Sequence, residues 1–254
     1  KAQKIFGQKG ILSDNPTLHM IFTGNPGTAK TSVARLFAQI LKDNGILSIG
    51  DLYEVGRADL VEQFVGWTAP NVKSIFKAAK GSVLFIDEAY SLVDDKDGLF
   101  GDEAINTIVA EMENMREDIV VIFAGYQDKM EAFLQKNPGL RSRIPYHIHF
   151  DDYSCEELYS ILELMAKKQN ILFNTNATPK LMQIFKKALM LQDFGNGRFV
   201  RNLLDNAKIK QANRLISMNV DELSDDEIST LMEDDFEMPA LLNGINNTSV
   251  VGFN

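Results

Sequence analysis

The sequence has one cysteine, three histidines and no apolar run long enough to cross a membrane. The single cysteine, Cys155, excludes an internal disulfide, so we expect a reducing, cytoplasmic location. A structural zinc site is not expected, because His147 and His149 would share one face of a strand and no third ligand is evident. The longest apolar run, IVVIFAG from Ile119, has the length of a strand, whereas a membrane helix needs about 18 apolar residues. We therefore expect no membrane partner.

Basic residues are absent after Arg214, and the chain carries a net charge of −9. Nine acidic residues follow position 214, so the rest of the chain has equal numbers of acids and bases. A neutral body lacks the basic stripe that indicates nucleic acid as a partner. We predict that residues 218–254 form a solvated acidic tail, with Asp225–Met232 as its candidate helix and no structure in its last stretch.

Two patterns divide the rest of the chain. Up to residue 152, short apolar runs alternate with helical patterns, as in an α/β domain whose parallel sheet is covered by helices on both faces. The predicted strands are Leu18–Gly24, Leu52–Gly56, Ser82–Glu88, Ile119–Gly125 and Tyr146–Phe150. The predicted helices are Lys30–Asn44, Pro70–Lys80, Asp102–Arg116 and Asp128–Gln135.

Residues 153–217 show helical patterns only, which predicts a small all-helical domain. Ser154 and Glu157 form a capping box before a helix at Cys155–Gln169. A second helix is predicted from Thr178, with Pro179 at its first position, and a third from Asn196 or Gly197 to about Ser217.

The segment GNPGTAKT after the first predicted strand resembles a phosphate-binding P-loop, G-x-x-x-x-G-K-[ST]. Gly24, Lys30 and Thr31 fit this pattern, whereas Ala29 stands in place of the second glycine. Backbone N–H groups would wrap the phosphate oxygens, Lys30 would reach the β- and γ-phosphates, and the Thr31 hydroxyl would bind Mg²⁺. The residues expected to contact ATP are Asn25, Pro26, Gly27, Thr28, Ala29, Lys30, Thr31 and Ser32.

The effect of Ala29 depends on its backbone angle φ. A positive φ would cost an alanine roughly 1–2 kcal/mol relative to glycine, whereas a negative φ would leave it unstrained. Because this residue leads into a helix, we predict a negative φ and a working site with somewhat reduced affinity for ATP.

The segment VLFIDE delivers two carboxylates to the end of a buried strand, where ligands of open α/β sheets bind. Asp87 is placed to hold Mg²⁺, and Glu88 to orient and deprotonate the attacking water. An acidic pair after a strand is alone more often the N-cap of a helix. Downstream of a P-loop it indicates the second half of an ATPase site.

The segments GNPGTAKT, VLFIDEAY, NPGLRSRI and GNGRFVRNLLDNAKIKQANRL together resemble an AAA+ ATPase of the CbxX/CfqX family, which includes rubisco activase of the red type and stage V sporulation protein K. The similarity runs from about Thr17 to Leu215. It implies ATP hydrolysis with Mg²⁺ in a ring of six subunits that threads a protein substrate through a central pore.

The resemblance also assigns roles to residues of this sequence. Phe64, Val65 and Gly66 correspond to an aromatic–aliphatic–glycine pore loop. The alternative is that Phe64 is simply a buried residue. Trp67 beside it indicates exposed apolar surface or a subunit contact. Arg141 and Arg143 resemble arginine fingers, which stabilise charge on the γ-phosphate in the neighbouring subunit.

The resemblance assigns further roles to residues in the helical domain and at the end of the fourth strand. Arg198 resembles the sensor-2 arginine, with Arg201 as the reserve candidate. Tyr126 lies near the sensor-1 position, which is usually Asn, Ser or Thr, so the residue that positions the attacking water is left open.

The first residue is Lys1, not Met, and few residues precede the P-loop, so we expect an N-terminally truncated AAA+ domain. Three functions remain open. The first is an ATP-driven protein remodeller, and the second is a nucleotide-binding scaffold with weak or no turnover because of Ala29. The third is an NTPase that acts on small molecules or nucleic acid. The neutral body and the pore-loop match disfavour the third.

Overall fold

The computed structural model describes residues 17–62, 64, 66–93, 99–191, 194–216, 218, 224–239 and 242. Its contacts divide the chain into two units: one contains residues 17–24 and Lys30–Phe150, and the other contains Asn25–Ala29 and the residues from Asp151 onward. Within the described part, no helix combines the length and the apolar character that a membrane crossing requires.

The first unit contains a five-stranded parallel sheet in the order β2-β3-β4-β1-β5. The strands are β1 (Met20–Gly24), β2 (Leu52–Val55), β3 (Val83–Ile86), β4 (Val120–Gly125) and β5 (Tyr146–Phe150). The helices are α1 (Lys30–Asp43), α2 (Arg57–Leu60), α3 (Thr68–Ala78), α4 (Leu99–Asn114), α5 (Gln127–Lys136) and α6 (Pro138–Arg141), with a 3₁₀ helix at Ala89–Val93. This confirms the predicted parallel α/β fold.

Both faces of the sheet are apolar. Successive side chains of a strand point to opposite sides, so a strand with apolar residues at successive positions presents apolar side chains to both faces. In β1, Met20 and Phe22 pack with Ala34 and Ala38 of α1. Ile21, on the other face, belongs to the core that contains the buried residues of α3, α4 and α5. The β3 strand is buried along its whole length, so the residues that follow it emerge at the carboxyl edge of the sheet.

The second unit is built from helices α7 (Cys155–Lys168), α8 (Thr178–Ala188), α9 (Gly197–Ile216) and α10 (Asp225–Ser229). The predicted capping box is present, since Ser154 Oγ accepts from Glu157 N–H and the Glu157 carboxylate accepts from Ser154 N–H. The first residue of α8 is Thr178, and Pro179 follows it within the first turn.

The segment predicted as a solvated tail belongs to the core of the second unit, so that prediction is wrong for the described residues between 224 and 242. Leu231, Phe236 and Leu242 are fully buried with the residues of α7, α8 and α9. Asp235 is only 3% exposed and binds Arg214 through both carboxylate oxygens, at 2.8 and 3.1 Å. The negative charge of Asp235 is therefore neutralised inside the fold by Arg214.

The prediction of helices alone was also incomplete for this unit. Two short strands, β6 (Leu172–Phe173) and β7 (Thr230–Leu231), pair in parallel. The Gln211 side-chain amide donates to the carbonyls of Ile228 and Thr230, which fixes this strand beside α9. β7 comes from the acidic segment, whose composition concealed its buried apolar residues.

Candidate functional site

The P-loop connects β1 to α1, as the sequence pattern requires. Gly24 has φ 141°, and a Cβ there would lie 2.3 Å from the carbonyl oxygen of Phe150, so no other residue fits. Lys30 Nζ donates to the Gly24 carbonyl at 2.8 Å, which folds the ammonium group back over the loop. Thr28 is buried, and its hydroxyl closes the loop by donating to the Asn25 carbonyl at 2.8 Å.

Ala29 has φ 66°, so the prediction of a negative angle is wrong. The residue does lead into a helix, but the loop must turn sharply before Lys30, and that turn places Ala29 in the left-handed region. An L-residue with a Cβ pays roughly 1–2 kcal/mol for this conformation. The strain is thus part of the folded loop itself.

The middle of the loop is held by residues of the second unit, to which Asn25–Ala29 belong. Asn196 Nδ2 donates to the Pro26 carbonyl at 3.3 Å, and Gly197 N–H donates to the Gly27 carbonyl at 3.1 Å. Asn25 Nδ2 lies 2.9 and 3.0 Å from the two carboxylate oxygens of Asp152.

Gly27 is a second glycine that this packing demands. A Cβ at Gly27 would lie 2.2 Å from the carbonyl oxygen of Gly195 and 2.9 Å from the backbone nitrogen of Arg198. Both are backbone atoms, so a side chain there would displace the start of α9.

Asp87 and Glu88 follow β3 at the carboxyl edge, and both are exposed. Glu88 has φ 48°, a left-handed conformation that is uncommon for a non-glycine residue and is found preferentially at functional sites. Glu88 N–H donates to the Asp87 carboxylate at 3.0 Å. Lys30, Thr31 and this acidic pair belong to one unit, and the carboxyl ends of β1, β4 and β3 lie side by side in the sheet.

The donors at this edge fit Mg²⁺. The site offers one hydroxyl, from Thr31, and one carboxylate, from Asp87, and no cluster of three His, Cys, Asp or Glu side chains occurs among the described residues. Mg²⁺ is ordinarily held by one or two protein oxygens together with phosphates and water.

Tyr90 is a residue of this edge that the sequence reasoning missed. It lies in the 3₁₀ helix two residues after Glu88, and its ring packs beside that of Tyr126. Burial and, next, the negative charge of Glu88 raise the pKa of Tyr90 to about 12. The sequence signal that could have identified this residue is the tyrosine that ends the segment VLFIDEAY.

Tyr126 follows β4 and is the N-cap residue of α5, although its side chain makes no capping hydrogen bond. Its ring centroid is 6.2 Å from that of Tyr90. The structure thus places an aromatic side chain near the predicted sensor-1 position, beside the ring of Tyr90.

Arg141 and Arg143 lie at the opposite, amino edge of the sheet, because they precede β5, which runs parallel to β1. Arg143 Nη1 donates to the Gly139 carbonyl at 3.1 Å, and its Nε lies 3.4 Å from Glu113 Oε2. Arg141 is exposed, and its side chain has no ion-pair partner among the residues that the structure describes.

Arg198 is the second residue of α9 in the helical unit and its side chain is exposed, as is that of Arg201 one turn later. The backbone nitrogen of Arg198 adjoins Gly27 of the P-loop. Of the two candidates, Arg198 is the one that the structure brings to the loop.

Phe64 is 66% exposed and Trp67 is 64% exposed, so Phe64 is not a core residue. Their rings contact each other with centroids 5.9 Å apart. Trp67 N–H donates to the Phe64 carbonyl at 3.2 Å, and Gly66 has φ 82°, so the two aromatic residues are the ends of a tight turn before α3. Val65, predicted with them, lies outside the described residues.

Two family models match the chain over these same regions. The model for the ATPase family associated with various cellular activities (AAA) matches residues 20–152, and the model for the AAA lid domain matches residues 154–243. The second match includes most of the segment predicted as a tail.

Curated relatives resemble the chain over most of its length. Protein CbbX of Cereibacter sphaeroides is 45% identical over 236 residues, which cover 92% of this chain and 76% of the relative. The chloroplastic ribulose bisphosphate carboxylase/oxygenase activase of Cyanidioschyzon merolae is 44% identical, covering 89% of this chain and 78% of the relative. The CfxQ homolog of Cyanidium caldarium is 44% identical, with 89% and 79% covered.

Solved structures share the fold at low identity. The crystal structure of the FIGL-1 AAA domain in complex with ADP is 19% identical, with a TM-score of 0.63, and the match covers 97% of this chain and 82% of that one. The FIGL-1 AAA domain alone gives a TM-score of 0.61 at 18% identity, with 92% and 77% covered.

Proposed function

Because the chain belongs to the ATPase family associated with various cellular activities (AAA), with CbbX, CfxQ and rubisco activase as relatives, we propose that it remodels a protein substrate within a hexameric ring. The chain is an ATPase and binds nucleotide. The observation that carries the proposal is the exposed Phe64–Trp67 pair, which lies on the same unit as the P-loop lysine and the acidic pair. We propose a cytoplasmic location, in keeping with the single cysteine.

The nucleotide chemistry is assigned to the carboxyl edge of the sheet. Lys30 and the backbone N–H groups of the P-loop bind the β- and γ-phosphates. Thr31 and Asp87 hold Mg²⁺, which would supply charge neutralisation on the phosphates. Glu88 orients the attacking water and accepts its proton.

Arg141 is the better candidate for the arginine finger of a neighbouring subunit. A five-residue strand spans about 16 Å, so an arginine at the amino edge is remote from phosphates held at the carboxyl edge of its own sheet. Action in trans follows from that separation. Arg143 already binds Glu113 and Gly139, whereas Arg141 is exposed and available.

Arg198 is proposed to bind the phosphates from the helical unit. It stands at the start of α9 next to Gly27, and its side chain is exposed. A guanidinium at this place stays charged at any physiological pH and binds phosphate oxygens bidentately.

The Phe64–Trp67 turn is proposed to contact the protein substrate. Two exposed aromatic rings bind apolar side chains of an extended polypeptide without reading its sequence. The turn is short, and Trp67 is fixed to α3 because its carbonyl accepts from Asn71 N–H at 3.1 Å. A fixed pair of rings transmits a movement of its unit to a bound chain.

The name of the Cyanidioschyzon merolae relative gives ribulose bisphosphate carboxylase/oxygenase as what that relative activates, and the substrate proposed for this chain is a protein without further identity. The positive φ of Ala29 is the observation that favours the alternative, a nucleotide-dependent scaffold with slow turnover.

The test measures mass and turnover on the same preparation. Native mass spectrometry with Mg-ATP is expected to give six subunits. ATP turnover is expected to rise with an unfolded polypeptide such as casein and to be unchanged by single-stranded RNA. Stimulation by RNA alone would overturn the proposal, and nucleotide binding without turnover, with or without casein, would establish the scaffold.

A further inference from the structure

Arg141 is the last residue of α6, a helix of a single turn. A helix this short does not persist by itself in water, so the contacts around it determine its position. Leu140 is fully buried in the core that also contains the buried residues of α4. A Cβ at Gly139 would lie 3.8 Å from Cγ1 of Val109, so α6 packs directly against α4.

The Arg143 guanidinium connects this turn to the end of α4. Its Nη1 donates to the Gly139 carbonyl, which also accepts from the Ser142 hydroxyl at 3.1 Å and has no partner within the helix itself. Its Nε lies 3.4 Å from Oε2 of Glu113, which follows Val109 by about one turn of α4. Arg143 Nε is shielded from solvent and makes no hydrogen bond among the described residues, so its polar contact is this ion pair.

We propose that Glu113 and Arg143 are positioning residues for Arg141: the Glu113 carboxylate holds the Arg143 guanidinium, which closes the turn that carries Arg141. The inference rests on the proposed function in one respect, namely that Arg141 acts on the nucleotide of a neighbouring subunit. The two arginines that resemble fingers in the sequence then have different roles. Arg141 reaches the neighbour, whereas Arg143 binds within its own subunit.

The physical reason is the distance over which a finger acts. Misplacement of a catalytic group by about 1 Å can lower a rate about a hundredfold. The Arg141 side chain is exposed and makes no ion pair among the residues that the structure describes, so the direction in which it projects is set by its backbone. A guanidinium that binds both an end carbonyl of α6 and a carboxylate of α4 fixes that backbone from the solvent side, while Leu140 fixes it from the core.

An ion pair that serves only stability predicts a different result. The Glu113 and Arg143 side chains are 53% and 36% exposed, and exposed ion pairs contribute little to stability. Loss of the pair should therefore hardly change the melting temperature, whereas a positioning role predicts a loss of turnover. Arg116 supplies the matched control, because its Nη1 lies 3.5 Å from the same Glu113 carboxylate although it follows α4 in the chain rather than α6.

The experiment measures steady-state ATP turnover, the Kd for Mg-ADP by calorimetry, and the melting temperature of assembled rings. We expect Glu113→Gln to lower kcat about three- to fivefold, as loss of one exposed ion pair can do. Arg143→Ala should lower kcat about tenfold, because the hydrogen bond to Gly139 is lost as well. The Kd should change less than about twofold in both. Arg116→Gln should keep the parental kcat, and Glu113→Gln should cause no further loss in an Arg143→Ala background.

Mixed rings distinguish an effect on the neighbouring site from an effect on the subunit's own site. Glu113→Gln subunits have an intact Glu88, and Glu88→Gln subunits have an intact finger. When Glu113→Gln subunits are diluted with Glu88→Gln subunits, turnover per Glu113→Gln subunit should approach that of parental subunits diluted in the same ratio. Turnover that stays below this reference at every ratio, with mixed rings verified by mass, would overturn the proposal, since the defect would then lie in the subunit's own site or in its stability.

Arg141→Ala separates this proposal from the assignment of the finger. Parental turnover in Arg141→Ala would refute Arg141 as the finger and the positioning role with it. A large loss in Arg141→Ala with parental kcat in Glu113→Gln and Arg143→Ala would refute the positioning role alone. An equal loss in Arg116→Gln and Glu113→Gln would also refute it, because charge at the end of α4 would then be the cause. If Arg143→Ala does not fold, Glu113→Gln and its mixed rings decide.

Discussion

The side-chain amide of Asn196 donates a hydrogen bond to the backbone carbonyl of Pro26, a residue 170 positions earlier in the chain. The same amide nitrogen lies 2.7 Å from Asp152 Oδ1, and the amide oxygen accepts from Tyr153 N–H at 3.0 Å. Asn196 is fully buried and has φ 46°. One asparagine thus makes hydrogen bonds to Pro26, Asp152 and Tyr153, all of which belong to the second unit.

Asn196→Ala should lower the free energy of unfolding by about 3 kcal/mol, because it removes buried hydrogen bonds and leaves an alanine in the left-handed region. Asn196→Gly loses the same hydrogen bonds without the backbone cost, so it should be less destabilised by roughly 1–2 kcal/mol. Urea titrations of parent and variants measure both values. A glycine variant with the parental midpoint would show that the amide contacts contribute nothing.

Ala29→Gly should raise the free energy of unfolding by about 0.5–1 kcal/mol, the relieved strain being partly offset by the greater backbone entropy of glycine. Because the strain belongs to the folded loop, the Kd for Mg-ATP should change less than about tenfold, or 1.4 kcal/mol. Calorimetric titration and thermal unfolding measure the two quantities.

Ala132→Gly is the control for that substitution, since Ala132 is exposed inside α5 and should be destabilised by about 1 kcal/mol. Undetectable ATP binding by the parent chain that appears in Ala29→Gly would mean that Ala29 abolishes the site.

Phe64→Ala should leave basal ATP turnover and melting temperature unchanged and should abolish stimulation by casein, because the ring is exposed and packs only on Trp67 among the aromatic residues described. Phe76→Ala is the contrasting variant: Phe76 is fully buried, so its loss should cost about 3–5 kcal/mol. A Phe64→Ala protein that retains casein stimulation would remove the substrate contact from this turn.

Arg141→Ala should bind nucleotide but lose turnover in the assembled ring, whereas Arg143→Ala should be affected less. Mixing Arg141→Ala subunits with Glu88→Gln subunits should restore part of the activity, because some interfaces then pair an intact arginine with an intact glutamate. Turnover is measured across mixing ratios, with mixed rings verified by mass. Absence of rescue at every ratio would exclude action in trans by Arg141.

His19 should make the protein less stable in acid. Its Nδ1 accepts from Val121 N–H at 3.0 Å, and burial lowers the pKa of His19 to about 4 from 6.5, partly offset by the backbone of Met112 and the charge of Glu113. A depressed pKa means that the folded state binds the proton less well than the unfolded state. The contribution is therefore complete above pH 6.5 and is lost as the pH falls towards 4.

The measurement is the free energy of unfolding at pH 7 and 4.5 for the parent and His19→Asn, which keeps an acceptor for Val121. The parent should lose about 2–3 kcal/mol more than the variant over this interval. His147→Asn on the exposed β5 strand should behave as the parent. Equal losses in parent and His19→Asn would contradict the prediction.

The five strands and the major helices followed from the sequence because continuous apolar runs and helical periods mark a sheet buried on both faces. The acidic segment was wrongly predicted to be solvated because its apolar residues, Leu231 and Phe236, are isolated among charged residues. A second reason is that the charge of the buried Asp235 is neutralised by Arg214, which comes from an earlier helix.

For the candidate site, too, one part could be predicted from the sequence and another part could not. The positions of Lys30, Asp87 and Glu88 follow from local motifs. The φ of Ala29 depends on the path of the loop, and the contact of the Tyr90 ring with Tyr126 and Lys129 depends on a turn that no periodicity reveals.

The hydrogen bonds at Pro26 and Gly27 also impose an order on events during synthesis. Their partners, Asn196 and Gly197, are translated 170 residues later, which at 5–20 residues per second is a delay of roughly 10–30 s. All five strands of the large sheet have been translated once Phe150 is made, well before these partners exist. A nascent chain that ends before residue 196 therefore carries a P-loop without its supports, and tight nucleotide binding begins only after Asn196 and Gly197 have been made.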